Sequence, residues 1–389
     1  MNFKHFIARL FSRPDQSWLV QARKFFLLLT VILPVLAFSS TASAFFYGHN
    51  GAVFTSTNAP DGNRIIMFTR NAAGYLHYYR SFATGGEGTG SGLGNQGAVV
   101  LSQDHQWLFA VNAGSNEISS FKVLRYGLKL VDVTPSGGDR PVSLTVDGDL
   151  LYVLNAGSDS IQGYTISEHG KLSALANSSK GLSGIGTGPA QIQFSPWGDA
   201  LVVTEKATNQ ISVFLLDDNG LPGDAVVNAS SGLTPFGFSF DRRGHLLVSE
   251  AAGGAPDASS VTSYDLHEDG SLEVIQGSLG TTETAACWLI VSRNGRFAFT
   301  TNTGSSTVSA LQIDRNGNIS LLQADGVAAN TLPGSRPIDM ASSRNGRFLY
   351  ALSATGGSIS AFRLNGKGEL KPIRSVTGLV ETINGLAAY

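Results

Sequence analysis

The sequence predicts an all-β chain folded as a seven-bladed β-propeller of four-stranded blades. Three observations predict it: a recurring apolar strand, recurring tight-turn dipeptides, and a composition suited to strands rather than helices. The strand reads Ala52-Val53-Phe54-Thr55-Ser56-Thr57-Asn58, Leu108-Phe109-Ala110-Val111-Asn112 and Leu151-Tyr152-Val153-Leu154-Asn155 in its first copies. It returns as Leu201-Val202-Val203-Thr204-Glu205, Leu246-Leu247-Val248-Ser249-Glu250, Phe297-Ala298-Phe299-Thr300-Thr301-Asn302 and Phe348-Leu349-Tyr350-Ala351-Leu352-Ser353. The mean step of about 49 residues falls in the roughly 40–50 residue period of strand-built propeller blades. Charged residues make up only 14% of the chain and 46 of its 389 residues are Gly, as many short strands joined by tight turns require.

The first 44 residues stand apart. Lys4, Arg9, Arg13, Arg23 and Lys24 form a basic leader, and an apolar run from Phe25 to Phe38 follows, broken by Pro34. Ala42-Ser43-Ala44 then supplies a small-x-small cleavage site. This pattern predicts a secretory signal over 1–44, one propeller domain over 45–389, and an exported protein, periplasmic or extracellular. The apolar run is shorter than the roughly 20 residues needed to span a bilayer, so no membrane attachment is expected after cleavage.

Each repeat reads as four strands, and the third shows how. Pro141 to Val146 is the inner strand and Asp147-Gly148 a two-residue turn signal. Leu151 to Asn155 is the second strand. Ser160 to Ile166 alternates as the third, Glu168-His169-Gly170 turns the chain, and Lys171 to Leu175 begins the outer strand. Asn294-Gly295 and Asn345-Gly346 occupy the same first-to-second turn, where positive φ angles are needed. The first repeat has no inner strand of its own. Gly385-Leu386-Ala387-Ala388-Tyr389 matches the inner-strand pattern with nothing after it, so the C-terminal strand is expected to complete the first blade and close the ring.

Charge and motif content exclude several functions. Five of the 27 basic and one of the 29 acidic side chains lie in the leader, so the remainder is more acidic than the whole-chain net charge of −2. A nucleic-acid partner wants the opposite sign. The single Cys, Cys287, rules out an internal disulfide and is expected to be a packed inner-strand residue. No two His stand at metal-ligand spacing and no Cys-x-x-Cys occurs, so neither metal nor cofactor is expected. His105, His245, His169 and His267 fall in turns and are expected to be solvated on the outer rims. The Gly-rich run Gly85 to Gly92 lacks the Lys-Ser/Thr of a phosphate loop and is expected to be flexible.

Ends of second strands and starts of inner strands share one face of a propeller. The strand-end set Asn58, Asn112, Asn155, Glu205, Glu250 and Asn302 is therefore expected around the mouth of the central channel. The inner-strand entrances join it: Asn95-Gln96-Gly97, Arg140-Pro141, Pro189-Ala190-Gln191, Thr234-Pro235, Ala286-Cys287-Trp288 and Arg336-Pro337, with Asp339 just beyond. Recurrence of the Asn members favours sheet capping. Glu205, Glu250 and Lys206 depart from the repeat, and the two carboxylates are the candidates for acid or base work. Arg140 and Arg336 are candidates to clamp a carboxylate or phosphate, or else to neutralise those glutamates. Asn95, Gln96, Asn112, Asn155, Gln191, Asn302 and Asp339 are candidate ligand contacts.

The run Gln191-Ile192-Gln193-Phe194-Ser195-Pro196-Trp197-Gly198, onward to Ile211-Ser212-Val213-Phe214, resembles the seven-bladed lactonase propellers. That family includes 6-phosphogluconolactonase and the fungal carboxymuconate cyclases, and related surface repeats of the YncE-like kind share the strand signature. The resemblance covers nearly all of residues 50–389. It implies opening or closing of a lactone of a small polar acid, with Arg336-Pro337-Ile338-Asp339 resembling the family's arginine-bearing last-blade entrance. It also implies a His at an inner-strand entrance, where this chain reads Gly188-Pro189-Ala190-Gln191. Two functions stay open at this point: a lactone hydrolase or cyclase acting on a small anionic or lactone ligand, and a noncatalytic propeller that binds a ligand or a protein partner. A monomer is the expected state.

Overall fold

Period-2 alternation of apolar residues and tight turns of Gly, Asn and Asp produce seven antiparallel sheets. The computed structural model describes residues 50–389. The expected leader lies outside the described residues, and among these no helix is long and apolar enough to cross a membrane. The described helical content is a single 3₁₀ turn, Ala252–Gly254.

Blades 2 to 7 each run from inner to outer strand in chain order. Their inner strands are Val99–Leu101, Pro141–Asp147, Pro189–Phe194, Pro235–Phe240, Ala286–Val291 and Pro337–Ser342. Their second strands are Trp107–Asn112, Leu150–Asn155, Ala200–Glu205, Leu246–Glu250, Phe297–Asn302 and Phe348–Ser353. The outer strands of blades 3 and 6 are split, and a two-residue piece, Lys180–Gly181 or Ala329–Asn330, pairs separately with the third strand.

Blade 1 closes as the sequence predicts. Asn384–Ala388 lies innermost, beside Gly51–Ser56, with Val53 opposite Ala388 and Thr55 opposite Leu386. Gly385 takes φ +75°, and a Cβ there would come 2.8 Å from the Val99 nitrogen, so only glycine fits the approach to blade 2. The buried Arg70 guanidinium secures the same seam. It donates to the Tyr389 carbonyl at 3.4 Å and stands 5.5 Å from the centre of the Phe348 ring of blade 7.

The core lies between neighbouring sheets. Each second strand is buried on both faces, so it reads as a continuous apolar run rather than an alternating one. Tyr152 of blade 3 meets Phe194 of blade 4 edge to face at 5.8 Å, and its hydroxyl donates to the Gly220 carbonyl at 2.6 Å. Each fully buried Phe or Leu contributes roughly 1.5–3 kcal/mol.

Three local expectations are corrected. His105 is half-buried and stacks on the Tyr389 ring at 5.5 Å instead of standing solvated on a rim. His245 is buried, not solvated on a rim, because the turn of blade 5 folds back on itself. Its Nδ1 lies 2.9 Å from Asp241 Oδ2, and the Gly317 turn of the next blade packs on its ring. The Gly85 to Gly92 run is tied down rather than loose. Asn58 accepts the Thr89 N–H at 2.9 Å and donates to the Ser91 carbonyl at 2.7 Å, while the Gly88 N–H reaches the Ala59 carbonyl at 2.8 Å.

Candidate functional site

The strand-end polar residues stand behind the mouth, inside the walls. Asn112, Asn155, Glu205, Glu250 and Asn302 are all fully buried. Asn112 donates to Ser119 Oγ at 2.7 Å and accepts from Asn63 at 3.0 Å. Asn155 donates to the Ser136 carbonyl at 3.0 Å, and Asn302 to both Thr307 and Ser309 at 2.9 Å. Each one ties a second strand to its third strand or to the connection arriving from the preceding blade.

Glu205 and Glu250 occupy the same position with donors in place of acceptors around them. Glu205 Oε1 accepts from the Ser183 N–H at 3.1 Å and Ser212 Oγ at 2.6 Å. Its Oε2 accepts from Thr208 Oγ1 at 2.9 Å and from the Ser183 hydroxyl. Glu250 accepts from the Gly232 N–H at 2.8 Å, Thr262 Oγ1 at 2.7 Å and the Ser260 hydroxyl. A carboxylate offers about four lone-pair positions, and Glu205 has all of them filled by the arriving connection, its own second-to-third turn and its third strand. Neither glutamate has an ion-pair partner among the described residues, so the sequence's alternative of pairing with Arg140 or Arg336 does not occur.

The mouth is built from the inner-strand entrances. Each of five entrances carries a residue in the left-handed region: Arg140 at φ +52°, Gly188 at +59°, Thr234 at +60°, Ala285 at +57° and Arg336 at +51°. A register shift follows at each, and such a bulge leaves backbone groups of the inner strand unpaired. Beyond the bulges, glutamines pair with in-register residues on the open edges of the innermost strands. Gln191 donates to the Phe238 carbonyl at 2.9 Å and accepts its N–H at 2.8 Å. Gln96 does the same for Leu289, on the far side of the ring, at 2.9 and 3.1 Å. The Asn95 carbonyl accepts from the Trp288 indole, the Asn95 amide donates to the Val142 carbonyl, and Asn95 Oδ1 is buried without a partner. Residues 95–96 therefore plug the channel below the mouth.

Lys206 stands over this plug. It follows the second strand of blade 4 and reaches back across the entrances, where its ammonium donates to the Pro189 carbonyl at 3.2 Å and to the Gly94 carbonyl. It lies 4.7 Å from the centre of the Phe236 ring, which in turn packs on Trp288 at 4.8 Å. An ammonium has three protons to give, and two are spoken for by these carbonyls. Burial pulls the Lys206 pKa down to about 8; nearby Arg140 adds to the effect, while the Cys287 thiol opposes it. Cys287 is itself buried as expected and pushed up to about 11 by desolvation. Arg140 and Arg336 are exposed and have no ion-pair partner among the described residues. Sequence reasoning marked Lys206 as a departure from the repeat but did not rank it as a site residue. Its significance comes from Gly94, Pro189 and Phe236, which three different segments bring to it.

Asp339 lies on the other side of the plug. It is buried, with Oδ1 accepting the Met340 N–H at 2.7 Å and Oδ2 the Leu386 N–H at 2.9 Å. Burial pushes its pKa up to about 8 against these two hydrogen bonds. With Gln96, Gln191 and Gln193 it lines a cavity of about 370 Å³ that runs along the axis to Gln103 and His105 at the opposite face. The candidate ligand residues are thus divided among three places: the mouth, the walls and the lower channel. Among the described residues no group of acidic, His or Cys side chains is arranged to hold a metal ion.

Comparison with known proteins agrees with this architecture. Residues 62–185 match the family described as "Lactonase, 7-bladed beta-propeller". No protein of curated function matches the chain by sequence. A solved structure from Lactobacillus plantarum superimposes with a TM-score of 0.72 at 17% identity, covering 87% of this chain and 99% of that one. The periplasmic gluconolactonase of Pseudomonas aeruginosa does so with a TM-score of 0.68 at 18% identity, covering 87% of this chain and 98% of its own. The chain thus has the seven-bladed architecture of the lactonase-type propellers and is similar to them in sequence over residues 62–185.

Proposed function

We propose that this chain is an exported lactonase-type propeller that binds a small polar acid or its lactone at the Lys206 mouth and opens or closes the lactone ring there. One observation carries the reading: a half-buried ammonium with a proton to spare, its pKa drawn down to about 8, beside the unpaired Arg140. Such a pair attracts a carboxylate or phosphate. A lysine tuned into this range also moves protons near neutrality. In ring opening, water adds to the lactone carbonyl and Arg140 stabilises the oxyanion. The ring C–O bond then breaks, and Lys206 gives its proton to the departing ring oxygen. The neutral amine recovers a proton from the added water. Arg336 serves as a second anion contact, and Glu205 and Glu250 hold the wall that presents Lys206. The family match, the gluconolactonase likeness and the leader pattern expected over 1–44 support this reading.

One observation favours a noncatalytic binding propeller instead. The two carboxylates nearest in sequence to the role of base have their lone pairs occupied by protein donors. Hydrolysis of glucono- and phosphoglucono-lactone by the purified protein decides between the two. Turnover lost in Lys206→Met and reduced in Arg140→Ala, with folding intact, supports the enzyme. Gluconate binding without turnover supports the binding protein. Neither turnover nor binding rejects both.

A further inference from the structure

The opposite face of the ring, where first strands turn into second strands, is electrically divided. The turns of blades 5, 6 and 7 read Asp241-Arg242-Arg243-Gly244-His245, Ser292-Arg293-Asn294-Gly295-Arg296 and Ser343-Arg344-Asn345-Gly346-Arg347. The corresponding turns of blades 2, 3 and 4 carry Asp104, Asp147, Asp149 and Asp199 and no arginine. Arg242, Arg293, Arg296, Arg344 and Arg347 are exposed. Among the described residues the ion pair on these three turns that involves an arginine is Arg243 with Asp241, at 4.0 Å. In a chain of net negative charge, five neighbouring arginines without counter-ions form a local positive field that nothing in the fold requires.

The arginines are set in place rather than loose. Arg242 packs its stem on Gly295 and Arg293 packs on Gly346; a methyl group at either glycine would sit 3.0 Å from Arg242 Cγ or 3.2 Å from Arg293 Cβ. Both glycines hold φ near +70° (+69° and +66°), so each turn presents a flat seat for the stem from the preceding blade. Arg293 also donates to the Arg344 carbonyl. Between the turns lies a cleft of about 400 Å³ lined by Arg242, Arg293, Arg347, Asn294, Asn345 and Asn365, with no carboxylate among its lining residues. Guanidinium forks and amide N–H groups are the donors that recognise oxyanions.

We propose that this arginine cleft is a second binding site, separate from the Lys206 mouth, for a small ligand carrying a polyvalent oxyanion such as a phosphate ester or a polycarboxylate. The site stands whether or not the mouth is catalytic, because it lies on the other face and shares no residue with it. His105 supplies an internal reporter. Burial and the charges of Arg344 and Arg293 lower its pKa, while Asp104 opposes them. Of these two arginines Arg293 lines the cleft, so an anion seated there screens Arg293 and lets the His105 pKa rise.

The probe is inorganic pyrophosphate, titrated into the purified full chain at low salt and followed by calorimetry and by the His105 imidazole NMR signal. In Lys206→Met, where the mouth's own anion contact is removed, binding of one equivalent is expected, weakening as salt is added. Arg293→Ala and Arg347→Ala are each expected to weaken it at least tenfold, while Lys371→Ala, on an outer strand of blade 7, leaves it unchanged. Saturation is expected to raise the His105 pKa in the wild type and not in Arg293→Ala. Absence of binding at low salt overturns the proposal, as does binding that is indifferent to both arginine variants. Sedimentation guards the remaining case. A dimer that dissociates in Arg293→Ala, without pyrophosphate binding, would mean that the arginines meet the acidic turns of a second copy, and the ligand proposal would fail.

Discussion

Gln96 and Leu289, 193 residues apart, pair across the axis of the propeller as two residues of adjacent strands would. The side-chain amide supplies the donor and the acceptor that the channel edge of blade 6 lacks, because its innermost strand has no further strand beside it. Replacing Gln96 with Ala leaves the Leu289 N–H and carbonyl buried without partners, each a group whose desolvation is costly. The variant is expected to lose about 2–3 kcal/mol, read as a lower urea midpoint with unchanged slope. A midpoint within experimental error of the wild type would show that water replaces the amide and that the plug is not structural.

Glu250 gathers donors from the connection arriving from blade 4 and from its own third strand. Glu250→Gln keeps the shape but turns one acceptor into a donor facing other donors. The expected loss is about 2–3 kcal/mol, and Glu205→Gln should behave alike. Thermal unfolding provides the check. A variant that keeps its stability while losing lactone turnover would restore Glu250 to the catalytic role that its place in the sequence suggested.

Asp339 should make stability depend on pH in a particular direction. Its folded pKa is raised to about 8 from an ordinary 3.8, so between those values the folded chain holds a proton that the unfolded chain has released. Its contribution is therefore intact below about 4, declines as pH rises, and is gone above about 8. Denaturation midpoints measured from pH 5 to 9 should fall in the wild type and fall less steeply in Asp339→Asn. Parallel curves for the two proteins would exclude Asp339 as the source.

Lys206 gives the mouth its own pH signature. Its pKa of about 8 means that the ammonium is mostly present at pH 7 and mostly lost at pH 9. Gluconate affinity should therefore fall about tenfold across that interval, following the charged fraction. In Lys206→Met, binding should be weaker and nearly flat over the same range. An unchanged affinity in that variant would move the anion site away from the mouth.

The blades and their closure were legible because they rest on local signals: the two-residue alternation, Asn-Gly and Asp-Gly turns, and a fixed period. The same signals located Asn112 and Glu205 along their strands but could not say whether the side chains faced the channel or the wall. That depends on which partners the neighbouring connections bring, such as Ser183 and Thr208 for Glu205. Lys206 illustrates the converse. Its break with the repeat was visible, while the carbonyls of Gly94 and Pro189 and the ring of Phe236 that make it unusual lie in separate parts of the chain. His245 misled for the same reason, since a turn histidine becomes buried only when an adjacent blade covers it.

The partnership of Val53 with Ala388 sets a timetable for folding. Every other blade is assembled from consecutive strands, so six of the seven sheets can form as local units soon after their residues are made. The first blade must keep its inner edge unpaired until the final strand arrives, and contacts between the most distant parts of a chain are the slowest to form. Docking of residues 384–388 is then expected to be the slow step, and the interval before it is when the nascent protein is expected to be most open to pairing with another chain.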